Sequence, residues 1–343
     1  MNSGLKRFIN NNIKELVTVG IIIMIFLVSG IARPELFTGE RLPHVINSIL
    51  LWIPLNLTMA MGMMMVVIVR GIDLSIGSNV ALSAMVAGIL FRDFGASLTV
   101  GIIVSLLVGT LGGVFNGFLF SYLKIPAIIV TLGTINAFRG LTYIISKGKM
   151  VTGYELPSGM TNIVSTGISM GQVLIPWIVV IALTIALIFF FMLRYSHFGR
   201  ELYAVGSNRE AAHLRGINCK KTEFLVFMIT GFLCGITAML SASRFGYVNP
   251  SNTGNGLEFV VISATIIGGV SVSGGRGTVV GVFLGCLLLG TVNTMIAMVG
   301  IPGTVQRFSY GLIIVLALVL DRGVFLMQNK AKLKQLSFKG KTA

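Results

Sequence analysis

Apolar runs of roughly 20 residues, the length a helix needs to cross the hydrocarbon core of a bilayer, follow one another along almost all of this 343-residue chain. No water inside hydrocarbon can satisfy the backbone, and a continuous apolar run meets that demand as a helix. Hydrophobic residues make up 55% of the chain and charged residues only 11%, which leaves no polar stretch long enough for a soluble domain of ordinary size. The chain reads as an all-α integral membrane protein of about ten spans, near 14–32, 44–69, 74–91, 96–122, 125–146, 172–193, 222–244, 256–272, 277–299 and 304–327. The eighth, at about 256–272, is short and reads as a broken or re-entrant helix.

An even number of spans puts both termini on one side, and the charges say which. With the N-terminus inside, eighteen Lys and Arg fall in inner segments and seven in outer ones, with Arg139 left inside a span. That bias is the one expected of cytoplasmic loops, so both termini are expected in the cytoplasm. The net charge of +15 is spread over the ends of spans and not gathered on a soluble face, so nucleic acid is not an expected partner; membrane lipid is. The apolar run after Lys6, Arg7 and Lys14 looks like a signal peptide, but with so many spans after it, it reads as an uncleaved first helix.

Chemistry of the enzymatic kind finds no support. Cys219, Cys234 and Cys286 are odd in number and lack metal-ligand spacing, so no metal or cofactor is expected, and Cys234 and Cys286 read as packing residues. Gly340-Lys341-Thr342 lacks the glycine five residues upstream that a phosphate-binding loop requires. There is no H-E-x-x-H and no G-x-S-x-G. His44, His197 and His213 lie in loops or at span edges, whereas proton-coupled carriers bury ionisable relays within their spans. The remaining reading is a membrane pore module driven from outside itself.

Several stretches stand out against this apolar background. Between the sixth and seventh spans, Arg194 to Glu223 is the longest region dense in charge. Ser207 and Glu210 have capping-box spacing, and Gly216 sits where a left-handed residue ends helices. A two-turn helix over Asn208–Arg215 competes here with an ordinary polar loop. Asp73 is costly in a bilayer and is expected either to lie at the cytoplasmic interface or to be paired, with Arg70 the nearest candidate; Asp73 or Ser75 would serve as N-cap of the third span. Gly109, Gly113 and Gly117 repeat every four residues, as do Gly277, Gly281 and Gly285. Such stripes let helix backbones approach closely, within one chain or across a dimer seam. Thr131, Thr134 and Asn136 give the fifth span its polar content and either line a path or bond back to their own helix; Asn56 is a further lining candidate. Arg139 is expected to reach for the outer interface. Residues 146–171 and 244–258 are the two large outer loops.

The segments Gly71-Ile-Asp-Leu-Ser-Ile-Gly77, Lys124-Ile-Pro-Ala127 with Thr131-Leu-Gly-Thr134 and Arg139-Gly140, Phe198-Gly-Arg200, Ala204-Val-Gly-Ser-Asn-Arg-Glu-Ala-Ala212 with Gly216-Ile217, Gly256-Leu-Glu258 and Ile267-Gly-Gly-Val-Ser-Val-Ser-Gly-Gly-Arg-Gly277 together cover nearly the whole chain in order. In these the sequence resembles the permease subunits of bacterial ABC importers for simple sugars, of the ribose, xylose, rhamnose, galactoside and autoinducer-2 type. The resemblance implies a single transmembrane permease domain over residues 1–343, with a cytoplasmic coupling loop at about 194–221 and a basic tail at about 328–343. It implies as partners a cytoplasmic ATP-binding subunit, a periplasmic or lipid-anchored sugar-binding protein, and a second permease subunit, identical or paralogous. It also implies that Ser207, Asn208, Arg209, Glu210, Ala211, Ala212, Arg215 and Gly216 form the helix that couples to the ATPase, and that the solute path runs between two permeases. Autoinducer-2, rhamnose and a pentose all remain open as substrate. A secondary transporter is the alternative class, set apart by the ionisable relay that it would need.

Reporter fusions check the sidedness: a cytoplasmic signal is expected at Gly206 and a periplasmic one at Gly153, and a periplasmic signal at Gly206 overturns the arrangement.

Overall fold

The structure is a computed structural model that describes residues 13–39, 41–171 and 173–300, with positions 305, 308, 311 and 312. The helices are α1 (Ile13–Ala32), α2 (Arg41–Ile68), α3 (Ile76–Phe94), α4 (Leu98–Ser121), α5 (Ala127–Ser146), α6 (Asn162–Ser165), α7 (Trp177–Tyr195), α8 (His197–Ser207), α9 (Arg209–Leu214), α10 (Cys219–Phe245), α11 (Leu257–Ile267) and α12 (Val279–Met298). Among the described residues, seven helices are long and apolar enough to cross a membrane: α1, α2, α4, α5, α7, α10 and α12. Apart from positions 305, 308, 311 and 312, the tenth expected span lies outside the described residues, as does the basic tail. The protein is not purely helical, since strands β1 (Gly167–Met170) and β2 (Val173–Pro176) pair as a short antiparallel hairpin before α7. The sixth span consequently begins at Trp177, five residues later than its apolar run suggests.

The bundle is built around α2. A helix that is hydrophobic all round belongs in an interior, and 94% of the apolar window of α2 is buried. Met59, Met61, Met63, Met64 and Met65 are all shielded from solvent there; unbranched, polarizable side chains of this kind fill the irregular gaps left by several neighbours. Those neighbours are α7, α10, α11 and α12. Pro54 sits inside the helix, and Asn56 Nδ2 bonds back to the Trp52 carbonyl at 2.7 Å.

Glycines set the tightest helix contact. Helices α4 and α10 run antiparallel, as shown by Ser105 Oγ bonded to the Gly235 carbonyl at 2.9 Å at one end and Gly117 against Phe224 at the other. A Cβ on Gly109 would stand 2.5 Å from the Gly231 carbonyl, and one on Gly113 would stand 2.8 Å from Gly231 Cα. This first stripe therefore meets a second one, Gly231 and Gly235, inside the same chain. The other stripe divides: Gly281 and Gly285 face Gly268 and Ala264 on α11, but Gly277 precedes α12 and belongs to the loop before it. Its place in the repeat was a coincidence of spacing.

Two helices begin inside the bundle. Cys234 Sγ, halfway along α10, lies 3.7 Å from the Ile76 carbonyl at the start of α3. Gly77 abuts Gly254 and Glu258 at the start of α11. After α2 ends, residues 71–75 thus turn back into the protein before α3 starts. With 11 residues, α11 spans about 16 Å, too little to cross a bilayer. The two large loops at this opposite end join through a bridge between Val151 and Val248, with N–O distances of 2.8 and 2.9 Å.

Replacing Gly231 by Val pushes two branches into the α4 backbone and is expected to destabilise the protein by about 3 kcal/mol, the upper range for overpacking. Gly133, with nothing within 4 Å of an added Cβ, is expected to accept Ala without loss. Thermal unfolding of both variants in detergent checks the pair.

Candidate coupling site

The charged stretch folds as three capped helices in succession. Ser196 Oγ accepts from Gly199 N at 3.0 Å and starts α8, Asn208 Oδ1 accepts from Ala211 N at 3.0 Å and starts α9, and Asn218 Oδ1 accepts from Lys221 N at 3.1 Å and starts α10. The N-cap of α9 is therefore Asn208 and not Ser207, correcting the capping-box reading. The reason is that α8 runs on through Ser207, its buried face set by Leu202, Val205 and Gly206. The first residue free to leave helical geometry is Asn208, with φ −156° and ψ 106°. Gly216 adopts φ +82°, Gly216 N bonds to the His213 carbonyl and Ile217 N to the Ala212 carbonyl. A left-handed glycine with such reversed bonds closes the helix.

What α9 presents differs from what it hides. Ala212 is buried against the protein's own chain, while Arg209, Glu210, Ala211, His213, Leu214, Arg215 and Gly216 are exposed. Of the two alanines, then, only Ala211 is on the free face. Leu214 is 87% exposed, a large apolar side chain on an otherwise polar helix, and the sequence reading passed it over. Its signal was available: it lies three residues from Ala211, on the same face at helical spacing. Arg209 is tied down by a two-pronged ion pair, Nε to Glu223 Oε1 at 2.6 Å and Nη2 to Oε2 at 3.2 Å. The buried carboxylate's hydrogen bond holds the guanidinium above its usual pKa and fastens α9 to the first turn of α10.

The base of this unit locks onto the rest of the bundle at one junction. Arg70, just past the end of α2 with φ +64°, donates from Nε to the Gly206 carbonyl at 2.8 Å and from Nη2 to the Ser207 carbonyl at 2.6 Å. Gly275 N donates to the Ile68 carbonyl at 2.9 Å. Gly274 and Gly275, at φ +84° and +71°, touch Arg70 and Ser207 where no Cβ would fit. Tyr203 Oη donates to the Gly277 carbonyl at 2.8 Å. The ends of α2 and α8 and the glycine-rich loop between α11 and α12 so meet in a single hydrogen-bonded knot. Arg70 is consequently not the partner of Asp73. The Asp73 carboxylate instead accepts from Ser75 N at 2.9 Å and Ser75 Oγ at 2.7 Å, and Ser75 Oγ accepts from Asn116 Nδ2 at 2.8 Å, which holds the turned-back segment in place.

The expected lining residues do not converge. Thr131 Oγ1 donates to the Ile72 carbonyl at 3.1 Å, and Thr134 Oγ1 bonds back to Val130 at 3.2 Å; both are buried. Asn136 is on the exposed side of α5, bonded back to Leu132. Asn56, on α2, borders a separate cavity of about 250 Å3 with Thr237, Ser241 and Arg244. Arg139 Nη1 donates to the Pro250 and Thr253 carbonyls of the 244–258 loop, both at 2.9 Å.

The sequence of this bundle has relatives among known proteins. Residues 45–318 match the family described as branched-chain amino acid transport system / permease component. The chain belongs to this permease family. It is also 32% identical over 315 residues to the autoinducer 2 import system permease protein LsrC of Salmonella typhimurium, covering 92% of this chain and 87% of the relative. To the protein of the same name from Escherichia coli K12 it is 33% identical over 317 residues, covering 92% and 88%. No solved structure matches. As an importer permease the chain is a non-catalytic, multi-pass subunit of the inner membrane, and ATP hydrolysis resides on a separate subunit.

Asn208→Ala is expected to remove about 1 kcal/mol from the start of α9 and speed amide exchange at Ala211 about fivefold. Ser207→Ala is expected to leave it unchanged. Hydrogen exchange on the two proteins in detergent distinguishes the caps.

Proposed function

We propose that this subunit, paired with a second permease subunit, forms the membrane path of an ATP-driven importer of a small sugar-like solute, with autoinducer-2 or a close chemical relative as cargo. The family match supports the importer, and the names of the relatives support the cargo. In this reading the chain has ten spans with both termini cytoplasmic: the seven long apolar helices, α3, a crossing that α11 makes together with the non-helical segments on either side of it, and one further span toward the C-terminus. The α8–α9 end faces the cytoplasm, and the joined loops carrying Val151 and Val248 face a periplasmic or lipid-anchored binding protein. The outward side of α5, with Asn136, faces the path between the two permeases; Thr131 and Thr134, buried on the other side of α5, support that wall, and Asn56 borders a cavity of its own.

The observation that carries this reading is the mounting of α9. It is a short helix, closed at both ends, whose free face offers Glu210, Ala211, Leu214 and Arg215 and whose base is fixed to α10 by Arg209 and Glu223. Through α8 it reaches Arg70 and the 274–277 loop. A rigid-body push delivered to α9 by an ATPase groove would therefore be felt by α2, α11 and α12 together, which is the kind of movement that switches packed bundles between two arrangements. Leu214 supplies the apolar anchor and Arg215 the charge-assisted contact.

In the assembled importer, Glu210→Lys and Leu214→Glu are each expected to lower solute-stimulated, vanadate-sensitive ATPase activity by about tenfold, the equivalent of ~1.4 kcal/mol at the contact, while membrane insertion stays normal. Because Ala212 is buried, a bulky residue there would report on folding and not on docking. Unchanged coupling in both variants would remove α9 from the interface.

A further inference from the structure

A groove with a cavity of about 820 Å3 opens at the α8–α9 end between α1, α7, α8 and the start of α12. Its long walls are apolar: Leu16 and Val19 of α1, Phe190 of α7 and Val280 of α12. At its rim stand two guanidiniums, each in contact with Tyr195. Arg194 Cζ lies 5.7 Å from the Tyr195 ring centroid and 5.7 Å from that of Phe190, and Arg200 Nη1 donates to the Tyr195 carbonyl at 3.0 Å. Among the described residues neither arginine has a salt bridge, and both are exposed. The groove's carboxylate, Glu15, accepts from Thr278 Oγ1 at 3.3 Å, which holds it at the N-cap of α12.

We infer that this groove holds one anionic phospholipid of the inner leaflet, with its phosphate on Arg194 and Arg200 and an acyl chain along Leu16, Val19, Phe190 and Val280. The two halves of the site match the two halves of such a molecule. Paired guanidiniums are suited to phosphate oxygens, and basic pockets between helices at the cytoplasmic surface take anionic headgroups. Among the described residues no protein covers the apolar walls: α1 packs along α12, and Leu16 and Val19 are left open to the groove. The position gives the lipid a consequence, because Tyr203 and Gly277, which line the same groove, are bonded to each other at the knot beneath α9. A lipid seated here braces that knot from the membrane side.

The inference rests on the proposed inward orientation for its leaflet only, and the test reads lipid directly, so it can fail while transport stands. Native mass spectrometry of the full chain in detergent, given equal amounts of phosphatidylglycerol and phosphatidylcholine, is expected to show one phosphatidylglycerol retained about tenfold more strongly than phosphatidylcholine, in keeping with two arginines near the headgroup. Arg194→Gln with Arg200→Gln is expected to lose that molecule. Val280→Trp, which fills the groove and leaves both charges, should lose it as well. Arg92→Gln at the opposite end, where Arg92 pairs with Asp93, should keep it. Equal retention of the two lipids, retention unchanged in the double variant, or complete displacement of phosphatidylglycerol by inorganic phosphate would each overturn the assignment.

Discussion

The carbonyls left over where a helix ends govern this molecule. At the end of α2 the Ile68 carbonyl is taken by Gly275 N, and at the end of α8 the Gly206 and Ser207 carbonyls are taken by Arg70. Helix termini always leave such groups, and away from water each must find a donor or cost free energy. Here the donors come from two other segments, so satisfying the backbone and joining the elements are the same act. The central helix, the helix pair at the surface and the α11–α12 loop are thereby made one mechanical body.

The same constraint explains why so much of the interior is glycine. Between apolar helices in lipid there is no hydrophobic gain from association, and close packing must supply the attraction. Gly109 and Gly113 against Gly231 and Gly235 bring the α4 and α10 backbones to van der Waals contact, and Ser105 adds a hydrogen bond across the same seam. The α11–α12 contact repeats the arrangement with Gly268, Gly281 and Gly285. Both seams lie within one chain, which decides between the two possibilities left open by the stripes.

Much of this was legible in the residues, and the failures share a cause. The apolar runs located the long helices, and the left-handed closure at Gly216 followed from its position after a charged helix. The family resemblance rested on motifs such as Gly71–Gly77 and Ala204–Ala212, which the knot and the turned-back segment use. What one-dimensional spacing could not decide was where one element stops and the next begins. Ser207 and Asn208 are equally good caps on paper, and the buried face of α8 chooses between them. Gly277 keeps the four-residue rhythm yet lies before α12. Thr131 and Thr134 look polar enough for a path, but a hydroxyl that bonds to a carbonyl one turn back, or across to Ile72, presents no polarity to solvent. Arg139 finds its carbonyl partners at Pro250 and Thr253, more than a hundred residues away, which spacing along the chain does not reveal.

The α4–α10 seam also bears on how such a chain can evolve. Side chains in an ordinary core drift among leucine, isoleucine, valine and methionine, because volume can be traded between neighbours. A contact of backbone on backbone has nothing to trade, since every other amino acid begins with the same Cβ. Gly109, Gly113 and Gly231 are therefore isolated points in sequence space, while the exposed side of α4, with Ile103, Leu107 and Leu111, is free to wander.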